Sequence, residues 1–170
     1  MSKGTLKIVE GDATEPQTTH DKEVVIIPHV CNNLGGWGAG FVVALSKKWP
    51  EPEKVYREYC ENNKAFPILG KVCYAKMSNF LVVANMIAQN GYQEAVINPV
   101  PIKYKALAEA MAGVAAFVDY ISGQTKNPIV IHCPKFGSDL AGGDWNFILE
   151  LIRELWLEAG IDVVVYEWVG

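Results

Sequence analysis

"EVVIIPHV", Glu23–Val30, runs two residues later into "NNLGGWGAGF", Asn32–Phe41. The first stretch is continuously apolar, the pattern of a strand buried on both faces of a parallel sheet. The second holds four glycines and a tryptophan and leads into "GAGFVVALSKKW". Apolar residues there fall at helical spacing over Gly38–Trp49, and Lys-Lys-Trp before Pro50 is a helix stop. Strand, glycine turn and helix make the unit from which α/β sheets are built. Glycine in such numbers loses conformational entropy on folding, so the chain needs the bare backbone at this turn.

The same unit returns near the other end of the chain. "NPIVIHCPKF" is a second buried strand, "FGSDLAGGDW" (Phe136–Trp145) a second glycine turn, and "DWNFILELIRELWLEAG" a helix. Asp144 suits its N-cap and Gly160 its C-terminal stop. Between the two units, "EPEKVYREYCEN" opens a helix with Pro52 in its first turn and acids at its front. "GKVCYAK" and "FLVVANMIAQ" read as adjacent strands, Asn90–Pro101 as an irregular linker, and Ile102–Ile121 as an alanine-rich helix. "LKIVEG" is a short first strand and "IDVVVYEW" the closing one. The alternation predicts one three-layer α/β domain over residues 1–170, with a mostly parallel sheet.

Composition fits that reading. The 170 residues are 50% hydrophobic and 20% charged, with a formal net charge of -4. The absence of a Lys/Arg run speaks against a nucleic-acid partner. Four cysteines without a CxxC pair and three histidines speak against a metal site, and read as free thiols. The N-terminus lacks the apolar core of a signal peptide, and no apolar run reaches the length of a membrane span. The expected location is the cytoplasm, with no membrane partner.

Both glycine turns stand at strand-to-helix junctions, which in open α/β sheets lie at the carboxyl ends of the strands, where ligands bind. A helix N-terminus offers free N–H groups and partial positive charge, and glycine lets an anion approach them. Two such turns suit a diphosphate; the alternative is that the glycines only build tight turns. Neither turn has the Gly-Lys-Ser/Thr of a P-loop, and Gly36, Gly38 and Gly40 do not make GxGxxG.

With "EGDAT" after the first strand, "PHVCNNLGGWGAGF" at the first turn, "LGKVCYA", "FGSDLAGGDW" and "VVVYEW", the chain resembles the macrodomains, the ADP-ribose-binding family, over nearly its whole length. The branch it is similar to contains ADP-ribose 1″-phosphate phosphatases and the terminal ADP-ribose glutamate hydrolase. The resemblance implies a three-layer α/β/α fold with a mixed, mostly parallel central sheet. It also implies binding of ADP-ribose or a close derivative, and hydrolysis of a group at the distal ribose without a cofactor. The alternative is a non-catalytic module that senses or sequesters ADP-ribose, an NAD-derived signal or ADP-ribosylated protein.

Site roles follow from the same resemblance. Asp12, with Ala13 beside it, takes the adenine amino group; Asn32 contacts the distal ribose. Gly38, Ala39, Gly40 and Phe41 wrap the diphosphate and distal ribose. Ser138, Asp139, Leu140, Ala141, Gly142 and Gly143 hold the diphosphate from the other side, and Tyr166 lies against adenine. As residues alone, Asp12 also suits a turn, Tyr166 the core, and Trp37 either a cover over the ligand or an interface. The catalytic candidates are His29, Asn32 and Asp139, although His29 at the end of a buried strand equally suits a satisfied core histidine. The hydrolase's lysine is missing from "VVANMIAQ", and its aspartate falls near Ala141. A carboxylate about 4 Å from a phosphate costs on the order of 4 kcal/mol at an effective dielectric near 20. Asp139 therefore points away, touches ribose hydroxyls, acts as a base on water, or alters ligand choice.

Overall fold

Period-two alternation in the long central strands is what divides the interior into two cores. In β2 (Val24–Asn32), Ile26 faces one layer of helices and Ile27 the other. In β4 (Leu81–Gln89), Val82, Ala84 and Met86 face the first core, while Val83 and Ile87 face the second. The computed structural model describes residues 2–169. It contains a six-stranded sheet of order β1-β6-β5-β2-β4-β3, where β1 is Leu6–Glu10, β3 Val72–Ser78, β5 Ile129–Pro134 and β6 Asp162–Glu167. All pairings are parallel except the β3–β4 hairpin, as the adjacent strands in the sequence require.

One face carries α1 (Phe41–Lys48) and α2 (Glu51–Asn62), with Leu45 and Tyr56 fully buried beneath them. The other carries α3 (Tyr104–Ser122) and α4 (Trp145–Ile152), with Met111, Val114, Ile148 and Trp156 buried. The expected three-layer architecture and mixed, mostly parallel sheet are therefore present. Within the described residues no helix is long and apolar enough to cross a membrane.

Element boundaries differ from the sequence expectation in places. α1 begins at Phe41 rather than Gly38, because Gly40 takes φ +81 and ends the turn. The helix expected through Gly160 widens into a π-helical turn at Arg153–Leu157, where the Trp156 indole N–H donates to Met111 O at 2.9 Å. The closing strand of the sequence lies inside the sheet. β6 lies between β1 and β5, and β1 forms the edge, held by Gly4 N–H to Leu157 O at 2.7 Å and by Thr5 N–H to Asp162 Oδ1 at 2.8 Å.

Candidate functional site

Because β2 and β5 are neighbours, their glycine turns stand side by side at the carboxyl end of the sheet. Together with the segments after β1 and β4 they frame a cleft of about 1320 Å³. It crosses the sheet from the β1/β6 side to the β4 side.

At the first turn, the amide of Asn32 organises the backbone. Its Oδ1 accepts from Leu34 N–H (2.8 Å), Gly36 N–H (3.1 Å) and the Tyr56 hydroxyl (2.8 Å), and its Nδ2 donates to Gly36 O (3.0 Å). Trp37, read from sequence as a cover over ligand or an interface, is instead buried at 9% exposure. Its indole N–H donates to Ser46 Oγ at 2.8 Å, and its ring packs on His29 and Tyr56. Beyond it, the N–H groups of Trp37, Gly38, Ala39 and Gly40 carry no hydrogen bond among the described residues. α1 has no side-chain cap, so its positive end opens on the cleft.

The second turn is built differently. Asp144 caps α4, accepting from Asn146 N–H at 2.9 Å and Phe147 N–H at 3.4 Å, as its place in the sequence suggested. The helix end is thereby closed, and the turn offers its own backbone instead. The N–H groups of Gly137, Ser138, Asp139 and Leu140 carry no hydrogen bond among the described residues. Ser138 Oγ donates to Lys135 O at 2.7 Å and tightens the turn.

Gly38, Ala39, Gly40, Phe41, Ser138, Asp139, Leu140 and Ala141 all line the cleft, as do Asp12, Ala13, His29, Asn32 and Tyr166. Gly142 and Gly143 do not. A Cβ on Gly143 would lie 2.4 Å from Gly137 O, and one on Gly142, at φ +74, 2.9 Å from Pro99 O. Glycine at these two positions is accounted for by turn packing. Gly38 contrasts with them: a Cβ there meets nothing within 4 Å and points into open space.

At the β1 side, Asp12 makes a turn. Its Oδ1 accepts from Thr14 N–H and Thr14 Oγ1, both at 2.8 Å, while Oδ2 has no partner among the described residues. Turn and acceptor roles are compatible, since one oxygen serves each. Tyr166 is buried, and its hydroxyl accepts from Gln17 N–H at 2.7 Å.

Behind Tyr166 lies a polar chain that the sequence did not announce. His132 Nδ1 is 2.7 Å from the Tyr166 hydroxyl, and His132 Nε2 is 2.6 Å from Glu23 Oε2; all three side chains are buried. A carboxylate only accepts, so Nε2 carries the proton, Nδ1 accepts from the tyrosine, and every group is satisfied. Burial pushes the His132 imidazole below its ordinary value, against the pull of Glu23. Burial also raises Glu23, but hydrogen bonds from His20 and His132 outweigh it and hold the carboxyl low.

His29 is 2% exposed at the cleft base. Asn85 Nδ2 donates to Pro52 O at 3.1 Å, which leaves Oδ1 to accept from His29 Nε2 at 2.5 Å. Burial drives the imidazole down to about 4 despite that bond, so it is neutral at neutral pH. Asp139 is exposed, and its carboxylate accepts no hydrogen bond among the described residues.

Sequence reasoning passed over several lining residues. Trp168, 73% exposed, stands past the end of β6 and offers a larger free aromatic face than Tyr166. The sequence placed it within the strand. Tyr92 and Gln93 come from the irregular linker; the Tyr92 ring rests on Gly36, where a Cβ would meet its hydroxyl at 2.5 Å. Lys47, Lys48 and Lys135 bring positive charge, Lys48 paired with Glu15 at 2.9 Å. Among the described residues no group of three metal-ligating side chains occurs.

No family model matches the chain. It is similar, at 38% identity, to a solved protein of unknown function from Bacteroides thetaiotaomicron (TM-score 0.84, covering 96% of this chain and 98% of that one). A macrodomain protein from Streptomyces coelicolor is 37% identical with a TM-score of 0.78, over 95% of this chain and 98% of its own. Among curated proteins, an ADP-ribose 1″-phosphate phosphatase from Lodderomyces elongisporus is 25% identical over 146 residues, 84% of this chain and 87% of that protein.

Proposed function

Since the chain belongs to the macrodomain family, we propose that it binds ADP-ribose or a close derivative and hydrolyses a group on the distal ribose. One observation carries the binding half: two sets of unpaired N–H groups, Trp37–Gly40 and Gly137–Leu140, face one cleft from adjacent strands. They receive the diphosphate. Asp12 Oδ2 accepts from the adenine amino group on the β1 side, and the distal ribose lies toward Asn32, Gly36 and Tyr92. The curated relative named for ADP-ribose 1″-phosphate supports this ligand class.

For the hydrolytic half, Asp139 is the base. Its carboxylate takes a proton from water as the water oxygen bonds to the phosphorus of a 1″-phosphate; the bond from that phosphorus to ribose O1″ breaks, phosphate departs, the ribose oxygen takes up a proton from solvent, and the turn N–H groups stabilise the charge that develops on oxygen. His29 and Asn32 position the first turn beneath the ribose. Asp139→Gly separates catalysis from repulsion. Loss of turnover by about 10²–10⁴-fold supports the base; tighter ADP-ribose binding with turnover unchanged supports repulsion alone.

A second reading, a binding module without turnover, draws support from His29. Its Nε2 proton is held by Asn85, and burial keeps the imidazole neutral near neutrality, so it has no second proton to give a leaving oxygen. Calorimetry with ADP-ribose, followed by product analysis on ADP-ribose 1″-phosphate and on ADP-ribosylated protein, decides between the two. Binding with no released phosphate or ADP-ribose selects the module. No binding rejects both.

A further inference from the structure

The segment after β1 carries Asp12, yet its own backbone scarcely touches the fold. Among the described residues, residues 12–22 make no backbone–backbone hydrogen bond to any residue outside the segment. Ala13 and Thr14 are buried, but from Glu15 to Lys22 only Pro16 is even partly covered. Side chains hold the segment instead. Gln17 N–H donates to the Tyr166 hydroxyl at 2.7 Å. Glu23 Oε1 accepts from Thr19 N–H at 3.4 Å and lies 3.0 Å from His20 Nδ1. Gln17 Nε2 donates to Glu10 O at 3.2 Å, and Glu15 adds an exposed ion pair with Lys48.

Tyr166 and Glu23 are the two ends of one buried chain, with His132 between them. A buried carboxylate is costly, and apolar replacement of buried charge is often neutral or stabilising. Stability alone therefore does not account for a carboxylate at position 23. What a carboxylate supplies is direction, because it only accepts. His132 is neutral, its value pushed down by burial, so its ring holds one proton. Glu23 Oε2 draws that proton to Nε2, which leaves Nδ1 to take the Tyr166 proton. The tyrosine oxygen, its proton committed, offers a lone pair to Gln17 N–H. With the protons reversed the last link fails. A proton on Nδ1 makes both polar neighbours of the tyrosine hydroxyl donors, and the hydroxyl proton confronts Gln17 N–H, donor against donor. The same tyrosine backs the start of the segment: a Cβ on Gly11, which precedes Asp12, would lie 3.5 Å from its ring.

We propose that Glu23 and His132 are positioning residues for the adenine end of the cleft. By fixing the direction of the protons they hold residues 12–22 to Tyr166 and keep Asp12 where it selects a base with an exocyclic amino group. Neither residue lines the cleft. The inference rests on the ADP-ribose reading above and extends it to two buried side chains that do not touch the nucleotide.

The test uses Glu23→Leu, which removes the acceptor, and Glu23→Gln, which keeps one. In the latter the amide oxygen still accepts from His132 Nε2 while the amide N–H turns to His20. Nitrogen-15 NMR of the His132 ring reads the tautomer, and amide exchange reads Gln17 N–H. Calorimetry compares ADP-ribose with its hypoxanthine counterpart. The wild type and Glu23→Gln should show the proton on Nε2, a protected Gln17 and a preference for ADP-ribose. Glu23→Leu should move the proton to Nδ1 and expose Gln17. It should bind ADP-ribose at least about tenfold more weakly, as for one lost hydrogen bond to a charged group, with affinity for the hypoxanthine form unchanged. A general loosening of the fold weakens both nucleotides alike, and protection of Ile26 and Ile131 reads the state of the sheet. His132→Phe leaves the tyrosine proton without an acceptor and should lose the preference too; it decides the matter if Glu23→Leu fails to fold. A wild-type proton on Nδ1 overturns the proposal, as does one that stays on Nε2 in Glu23→Leu. So does a preference that survives in Glu23→Leu or His132→Phe, equal weakening of both nucleotides, or a preference lost from Glu23→Gln with the tautomer kept. A wild type that binds no ADP-ribose rejects the cleft reading and this role with it, whereas wild-type binding with the preference intact in the variants rejects the role alone.

Discussion

Tyr166 and His132, on adjacent strands, share a 2.7 Å hydrogen bond that links the cleft wall to the buried carboxylate of Glu23. The tyrosine hydroxyl also accepts from Gln17 N–H, so it ties the segment that carries Asp12 to the sheet. Tyr166→Phe keeps the ring and removes the hydroxyl. It leaves His132 Nδ1 and Gln17 N–H without their partner, and a buried unsatisfied group costs about 1–3 kcal/mol. The urea midpoint should fall accordingly with an unchanged slope.

Asp12→Ala should weaken ADP-ribose binding by roughly 1.5–3 kcal/mol, the range for a hydrogen bond to a charged group. It should also narrow the preference for adenine over hypoxanthine, whose carbonyl cannot donate to a carboxylate. Calorimetry with both nucleotide forms reads the effect, and unchanged affinity in a folded variant removes Asp12 from the adenine end.

Gly38 and Gly142 should respond to valine in opposite ways. At Gly38, a lining residue of the cleft, the added side chain meets nothing within 4 Å, so binding should be lost while the thermal midpoint holds. At Gly142 it meets Pro99 O and Val100 Cα, and φ +74 disfavours any β-branched residue. That variant should lose thermal stability first. Melting curves and ADP-ribose titrations on the pair check this.

Stability should fall with acid in a window set by His29. Its folded value, about 4, lies below the ordinary 6.5, so the unfolded chain binds the extra proton more readily between these limits. The stabilisation is complete above pH 6.5 and is withdrawn as pH drops toward 4, by about 3 kcal/mol in all. Burial also lowers His132, which adds with the same sign. Urea unfolding at pH 7.5, 6, 5 and 4.5 should show the decline, and His29→Gln should flatten most of it.

The layers, the parallel sheet and the two turns were legible because they follow from periodicity and glycine placement, which are local. Ile26 and Ile27 announce two cores by alternation alone. Gly38 and Gly142 look alike as letters, yet one faces open space and the other a backbone, a distinction made by Pro99 and Val100 across the linker. Trp37 looked exposed because glycines surround it, whereas its ring turns inward onto His29. The Glu23–His132–Tyr166 chain was invisible for a similar reason: its members lie 109 and 34 residues apart and meet only through sheet order. His29 was left open between core and catalysis, and no spacing rule supplies Asn85 as its partner.

The edge position of β1 has a thermodynamic corollary. Residues 4–11 attach to the body through the β6 ladder, the contacts of Gly4 and Thr5, and Gly11 N–H to Glu167 O at 3.0 Å, and the strand leads directly into Asp12. An edge strand is among the cheapest parts of a sheet to detach. On the binding mode proposed above, detaching it would also dismantle the adenine end. On that mode, local opening of residues 4–11 and release of the nucleotide are linked equilibria, and an occupied cleft would clamp the β1–β6 seam shut by mass action.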